Sequence, residues 1–400
     1  MATRLHVALL IESSRGYGRG LLRGISDYIR VHGPWSVYMQ RHDLYDAFPV
    51  WLNDWRGDGI IARIENESMA RAIRNLRVPT VDLRGRVLDP RMPSILTDDE
   101  AGARMAAEHL LDRGFRHFAY CGFVGTEYSD ARSRVFERVI IEAGFTCSIY
   151  QLPNRFRGDK AVGTEVHKLI YEKNLAKWLE RLPKPIGLMA CNDARGQQVL
   201  NACRDLEIVV PGELAVVGVD NDDMVCDLCD PPLSSVVPNT RKIGFEAASL
   251  LERMIAGGAA PEKPVYIMPL GIVRRRSTDE LAIQDKVTAE AIRFIREHAC
   301  DGIKVEDVLE RLPLLSHSSL ERHFNKLLGR TPKAEIIRVQ LDRVKELLVG
   351  SNFTLKEIAA KAGFRYLEYM SALFKEKIGQ TPGHFRQQAQ QRKSNGNSLK

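Results

Sequence analysis

No stretch of the 400 residues approaches the roughly 18 uncharged apolar residues that a membrane-spanning helix requires. The opening segment, MATRLHVALLIESSRGYG, has an apolar run too short for a secretory leader and no small-residue cleavage site after it. Cysteine is sparse: seven residues, at 121, 147, 191, 203, 226, 229 and 300, odd in number and mostly inside apolar runs. That pattern suits reduced thiols, and together these absences predict a cytoplasmic chain with no membrane partner. Cys226 and Cys229 form one CxxC, but no second Cys/His pair lies at zinc spacing nearby. They read as two buried or semi-exposed thiols, and no metal site is expected. A P-loop, a nucleophile elbow and a paired acid/base motif are also missing, which argues against an enzyme. Gly16, Gly18 and Gly20 follow a strand and open a helix, yet the dinucleotide fingerprint needs Gly or Ala where Leu21 stands. No cofactor is expected.

What is present is ordinary globular material, 44% hydrophobic and 27% charged, long enough for two or three domains. The net charge of +7 is unevenly placed. Residues 284–400 carry 21 Lys/Arg against 14 Asp/Glu, the whole of the excess, and residues 1–283 carry 37 of each. A neutral body joined to a basic tail points to a polyanionic partner for the tail, double-stranded DNA above all.

From residue 5 to about 273, short apolar runs alternate with amphipathic stretches. LHVALLI, WSVYMQ, GIIARI, PTVDL, HFAYCGF, CSIYQL, IGLMAC and LAVVGVD read as strands; RGLLRGISDYIRVHG, EAGARMAAEHLLDRG, RSRVFERVIIEAG and ARGQQVLNACRDL read as helices. Continuous apolar strands between helices indicate parallel sheets covered on both faces, and the length favours two doubly wound lobes over one large sheet. The charged segment DELAIQDK reads as a linker, and beyond Val287 only helical periods appear.

The tail repeats itself. Leu320, Phe324, Gly329, Thr331 and Pro332 return fifty residues later as Met370, Phe374, Gly379, Thr381 and Pro382. The preceding helix repeats at the same offset, with Val305, Val308, Leu309 and Leu312 against Leu355, Ile358, Ala359 and Ala362. Two copies are too few for a solenoid and suit a pair of helix–turn–helix units. In the first, Ser316 is placed to cap a helix that buries Leu320 and Phe324 and projects Ser318, Glu321 and Arg322 outward. In the second, Leu367, Glu368 and Ser371 take the outward positions. Such residues enter the major groove and read base edges. Lys326 and Arg330 are expected on phosphates, and His317, Arg365 and Tyr366 complete the candidate DNA-contacting set. Arg322 could instead pair with Glu321 or Glu346 and never reach DNA.

The motifs SxxLxRxF with GxTP, then AxxxGF and FKxxxGxTPxxFR, resemble the tandem DNA-binding domain of the AraC/XylS family over about 287–387. Ala372 departs from the family at a position often held by Arg. The body, through TDDEAGARMAAEHLLDRGFRHFAYCG, NDARGQQVLNACRDLEIVVPGELAVVGVDNDD and PPLSSVVPNTRKIGFEAASLL, resembles the effector domain of LacI/GalR regulators over about 5–275. The resemblance implies a two-lobed periplasmic-binding-protein-like α/β effector and dimerisation domain over 1–275, with a linker at 276–286. It implies an all-α tandem helix–turn–helix domain over 287–390 and a disordered polar tail over 391–400. It also implies a homodimeric, sugar-responsive transcription regulator, with RNA polymerase as a further partner. Effector binding between the lobes would reposition the DNA-binding units. The order of the modules, with NDAR and VRRRST ahead of the linker, resembles regulators of pentose operons, which implies xylose or a related pentose as effector.

Carried onto this chain, the sugar-binding residues are Glu12 and Ser14 after the first strand, Arg132, Asn192 and Asp193 after LMAC, and Asp220 after AVVGV, with Asp82 and Arg84 as secondary candidates. Carboxylates, amides and a forked guanidinium suit hydroxyls that both donate and accept. Asp193 is equally suited to N-cap its helix. A different sugar or sugar derivative is the alternative effector. A sugar-acting α/β enzyme with a helical oligomerisation module, or a transport-type sugar-binding protein, fits the two helix–turn–helix units and the basic tail less well.

Overall fold

The computed structural model describes residues 4–40, 51–52, 55–87, 89–123, 125–150, 168–279, 286–312, 316–328, 330–351 and 353–387. The chain divides into two compact units, Met1–Ala282 and Ile283–Lys400.

In the first unit the order is β1 (Leu5–Leu10), α1 (Gly16–His32), β2 (Trp35–Met39), β3 (Gly59–Ala62), α2 (Glu67–Leu76), β4 (Thr80–Asp82) and β5 (Ile95–Thr97). Then come α3 (Asp99–Asp112), β6 (His117–Cys121), α4 (Glu127–Glu142), β7 (Cys147–Ile149), α5 (Lys168–Glu180), β8 (Ile186–Ala190) and α6 (Asp193–Asp205). The unit closes with β9 (Leu214–Val219), α7 (Asp223–Leu228), β10 (Ser234–Val237), α8 (Thr240–Ile255), β11 (Val265–Ile267) and β12 (Gly271–Val273).

The strands form two main sheets, as the apolar runs predict. One is parallel, in the order β2-β1-β3-β4. The other runs β12-β10-β9-β8-β6-β7 and is parallel except for β12. β5 and β11 pair beside the first sheet. Strands β1, β3, β8 and β9 are buried almost throughout, which is why they read as unbroken apolar runs and not as alternating ones. The chain passes between the lobes after β5, after β10 and after β11.

α8 returns to the first lobe and lies against α1, so that Ile243, Ala247 and Leu251 share one core with Leu21 and Ile25. Two glycines permit that approach: a Cβ on Gly24 would lie 2.0 Å from the Arg241 carbonyl oxygen, and one on Gly244 would lie 2.0 Å from that of Leu21. The glycine series in α1 has the same origin. A Cβ on Gly18 would meet the Glu12 carbonyl oxygen, and one on Gly20 the Thr240 hydroxyl, both at 2.0 Å.

The stretch expected to begin the linker is folded. Arg276–Thr278 form a 3-10 turn in which Ser277 and Thr278 are fully buried, so this part belongs to the first unit. Residues 280–285 and the tail 391–400 lie outside the described residues.

The second unit holds α9 (Lys286–His298), α10 (Val305–Arg311), α11 (His317–Leu328), α12 (Pro332–Gly350), α13 (Leu355–Lys361) and α14 (Leu367–Ile378). The repeated TP follows a physical rule. Thr331 caps α12 by accepting from the Ala334 amide at 3.2 Å, and Pro332 occupies the first helical position, where no amide donor is needed. Thr381 accepts from the His384 amide at 3.2 Å ahead of the final helical turns. Gly379, at φ 80°, ends α14 in the left-handed region. Gln340 on α12 ties both halves together, donating to the Ala299 carbonyl at 2.9 Å and the Gly363 carbonyl at 3.2 Å.

Candidate functional site

The C-terminal ends of parallel strands from both lobes face one cleft, the usual ligand position in open α/β sheets. Glu12 follows β1 and is almost fully buried. Arg63, after β3, donates to its Oε1, and the guanidinium also lies 4.9 Å from the Tyr17 ring. Glu65 accepts from Arg84 Nε at 2.9 Å. Glu12 Oε2 and Glu65 Oε2 are buried acceptors without a hydrogen-bond partner, and Arg63 Nε is an equally unused donor. Buried polar atoms in this condition are unusual and suit a ligand rich in hydroxyls.

On the second lobe, Arg132 projects from α4. It holds Asp99 through Nε at 2.8 Å and Nη2 at 2.6 Å, donates to the Cys191 carbonyl, and lies 5.0 Å from the Tyr128 ring. The same ring faces Arg84 of the first lobe at 5.2 Å. Asp220 follows β9 at φ 109°, a conformation that L residues rarely adopt. Among the described residues no donor reaches its carboxylate. Burial raises its pKa, against the pull of Arg132, Arg15 and Arg63. Burial, with Asp220 nearby, also raises that of Asp193.

Glu12, Arg132 and Asp220 thus converge with the strand ends. Ser14 is exposed, its carbonyl accepting from Arg19 at 2.7 Å, and stands apart from them. Asn192, not Asp193, caps α6: its Oδ1 accepts from the Arg195 amide at 2.9 Å, and its Nδ2 donates to Tyr128 Oη at 3.2 Å. Asp193 accepts from Ser235 at 2.5 Å and from the Asp222 amide at 2.8 Å. Asp82 is fully engaged in organising its loop, accepting from the amides of Ile64, Arg84 and Gly85 at 3.1, 2.9 and 2.7 Å. Arg63, Glu65, Tyr17 and Tyr128 escaped the sequence reading. Only their places at strand ends and helix starts could have signalled them.

A hydrogen-bonded path leads from this cleft toward the chain's exit from the unit. Ser235 Oγ, bonded to Asp193, accepts from the Asn221 amide at 3.0 Å. Asn221 Oδ1 accepts from Arg275 Nη1 at 2.8 Å. Arg275 N donates to Ser234 Oγ at 2.8 Å, and that hydroxyl lies 2.7 Å from Thr278 Oγ1. Thr278 in turn is held by His109 at 3.0 Å and by Arg113.

Cys226 and Cys229 are buried free thiols. Burial, with Asp193 close by, pushes the Cys229 thiol up to about 11. Among the described residues no cluster of His, Cys, Asp and Glu could hold a metal ion.

In the second unit, Ser316 caps α11, accepting from the Ser319 amide at 3.2 Å. His317, Ser318 and Arg322 are exposed, Glu321 is half-exposed, and Arg322 makes no ion pair among the described residues. The side chain of Lys326 lies outside them. Arg330 points elsewhere than expected: its Nε donates to buried Glu335 at 2.6 Å. In α14 the exposed positions are Glu368, Tyr369, Ala372, Lys375, Glu376 and Lys377, preceded by Arg365 and Tyr366. Leu367 turns toward Met370 and Phe374 and joins the core, because positions three and seven apart share a helix face, and Ser371 is half-buried.

Comparison with known proteins agrees with this architecture. Residues 6–99 match the model of the XylR N-terminal domain, 107–278 a periplasmic binding protein-like domain, and 314–388 a helix-turn-helix domain. The xylose operon regulatory protein of Escherichia coli (strain K12) is 30% identical over 396 residues, covering 96% of this chain and 98% of its own length. That of Haemophilus influenzae is 31% identical over 391 residues, covering 95% and 97%. The solved structure of a xylose-binding transcription activator, xylR, superposes with a TM-score of 0.60 at 29% identity, covering 96% of this chain and 98% of that one. A two-lobed sugar-binding body followed by an AraC-type pair of helix–turn–helix units, matched over nearly its full length, places the chain in the family of xylose operon regulatory proteins, sugar-responsive DNA-binding transcription regulators.

Proposed function

We propose that the effector is xylose or a closely related pentose, bound between the lobes by Glu12, Arg63, Glu65, Arg132 and Asp220. The observation that carries this is the set of buried polar atoms without a hydrogen-bond partner, the acceptors Glu12 Oε2 and Glu65 Oε2 and the donor Arg63 Nε. Binding draws on those groups and alters the path from Asp193 through Ser235, Asn221 and Arg275 to Thr278, just ahead of the connection to the DNA-binding unit. The protein acts as a homodimer through its first unit, presents four helix–turn–helix units to its operator, and has RNA polymerase as a further partner. It works in the cytoplasm; among the described residues no helix is long and apolar enough to cross a membrane.

Calorimetry with xylose, arabinose, ribose and glucose tests the effector, and micromolar or tighter binding of a pentose alone is the expected result. Sedimentation of the full chain, free and on DNA, tests the dimer.

A further inference from the structure

The two recognition helices expose different chemistry. On α11 the outward residues are His317, Ser318, Arg322 and Asn325, all polar. On α14 and its cap, Tyr366 is 58% and Tyr369 52% exposed, and Ala372 stands beside them. At the fifty-residue offset, Ser316 corresponds to Tyr366, Ser319 to Tyr369 and Arg322 to Ala372. Of the outward residues of α11, Ser318 and Asn325 return as charged Glu368 and Lys375, Arg322 returns as a methyl, and the rings of Tyr366 and Tyr369 stand where the cap Ser316 and half-buried Ser319 lie in the first copy. Both rings are held in place: the Arg365 guanidinium lies 5.4 Å from the centre of the Tyr366 ring, and Tyr369 packs at 6.1 Å from Phe364.

Ring faces and a methyl in the outward half of a recognition helix gain most from an apolar counterpart, which a base edge in the major groove offers as the thymine C5-methyl, while the tyrosine hydroxyls remain free to reach polar groups. The charged neighbours are Glu368, which as a carboxylate accepts from an amino group but cannot donate to guanine, and Lys375, one turn beyond Ala372. We infer that the second recognition helix specifies its segment of the operator through thymine methyls, with Tyr369 and Ala372 as the reading residues, whereas the first reads hydrogen-bonding edges. This rests on the second helix–turn–helix meeting the major groove.

The test uses full-length protein and an operator selected from a random library. Hydroxyl-radical protection maps the contacted segments, and the segment whose protection weakens in Lys375→Glu belongs to the second helix–turn–helix. Each thymine is then replaced singly by deoxyuridine, which keeps every hydrogen bond and removes only the methyl. One or two positions in that segment should each lose about fourfold in affinity, the worth of one buried methyl. That loss should persist in Arg322→Ala and disappear in Tyr369→Ala. Ala372→Arg should shift preference at one of the same positions toward guanine, an outcome open to measurement even if Tyr369→Ala fails to fold. Protection of the segment with deoxyuridine effects below about twofold throughout overturns methyl reading and leaves groove binding standing. Equal deoxyuridine losses in wild type, Tyr369→Ala and Ala372→Arg overturn it as well. No protected segment sensitive to Lys375→Glu would refute groove contact itself, and the inference with it.

Discussion

Glu335→Gln should unfold the second unit about 3–5 kcal/mol more easily while leaving the first untouched. Glu335 is fully buried, and all of its acceptor positions are taken. Oε1 accepts from Arg296 at 3.2 Å and Arg338 at 3.0 Å; Oε2 accepts from Arg330 at 2.6 Å and Arg338 at 2.9 Å. Burial alone would raise its pKa, but the guanidinium groups, Arg338 first, hold it at about 2 against an ordinary 4.5. At about 1.4 kcal/mol per pKa unit, that difference is worth about 3 kcal/mol at neutral pH. Leaving three arginines around a neutral amide places the cost in the range of about 3–5 kcal/mol found for broken buried pairs. A depressed carboxylate stabilises above its unfolded pKa and loses that contribution as pH falls through its folded pKa. The gap between wild type and variant should therefore be full above pH 5 and close as the pH falls toward 2.

The assay separates the units without cutting the chain. All four tryptophans, at 35, 51, 55 and 178, belong to the first unit. A helix-loss transition seen by far-ultraviolet circular dichroism but silent in tryptophan fluorescence reports the second. Its midpoint should fall on the order of 10–20 °C. A shift worth less than about 1 kcal/mol at pH 7, or a gap that does not narrow on acidification, refutes the reasoning.

Asp220→Asn should weaken xylose binding in calorimetry by roughly ten- to a hundredfold, the loss of a charged acceptor. Because burial raises the folded-state pKa of Asp220 to about 6, the same variant should gain stability over wild type as pH rises from about 4 to 7 and no further above that, read by urea unfolding. Arg132→Ala should abolish the sugar response and lower stability by about 3 kcal/mol, since Asp99 loses its partner. Arg275→Ala should bind xylose within about threefold of wild type, while operator affinity changes at least about fivefold less on adding sugar, measured by fluorescence anisotropy. Arg322→Ala should relax preference at one base pair of each half-site in a randomised library, a contact worth about 1–3 kcal/mol. Arg330→Ala should act through stability, with the salt dependence of operator binding unchanged.

The strand runs, the charge division and the fifty-residue repeat were legible in the residues because each depends on local periodicity or on fixed spacing. Burial on both faces turns β1, β3, β8 and β9 into continuous apolar runs. Helix capping forces Thr-Pro to recur after each recognition helix, whatever the tertiary setting. Strands β5, β10, β11 and β12 were not foreseen: three or four residues long, they draw their pairing from a neighbouring strand and carry little pattern of their own. Cleft membership was legible only where a long strand ended in a polar residue, as at Glu12 and Asp220. Arg63 meets Glu12 from 51 positions away, and Arg132 meets Asp99 from 33. Only the folded lobes bring such pairs together. Helical rotation likewise turned Leu367 into the core and Tyr369 outward, and the third arginine of the cluster, Arg330, found a buried carboxylate. Composition and spacing therefore determined the fold class and the DNA-binding module, because both are written in local periods. Which charges face a ligand, a base or one another was decided by tertiary structure, because electrostatic partners are chosen by distance in space and not along the chain.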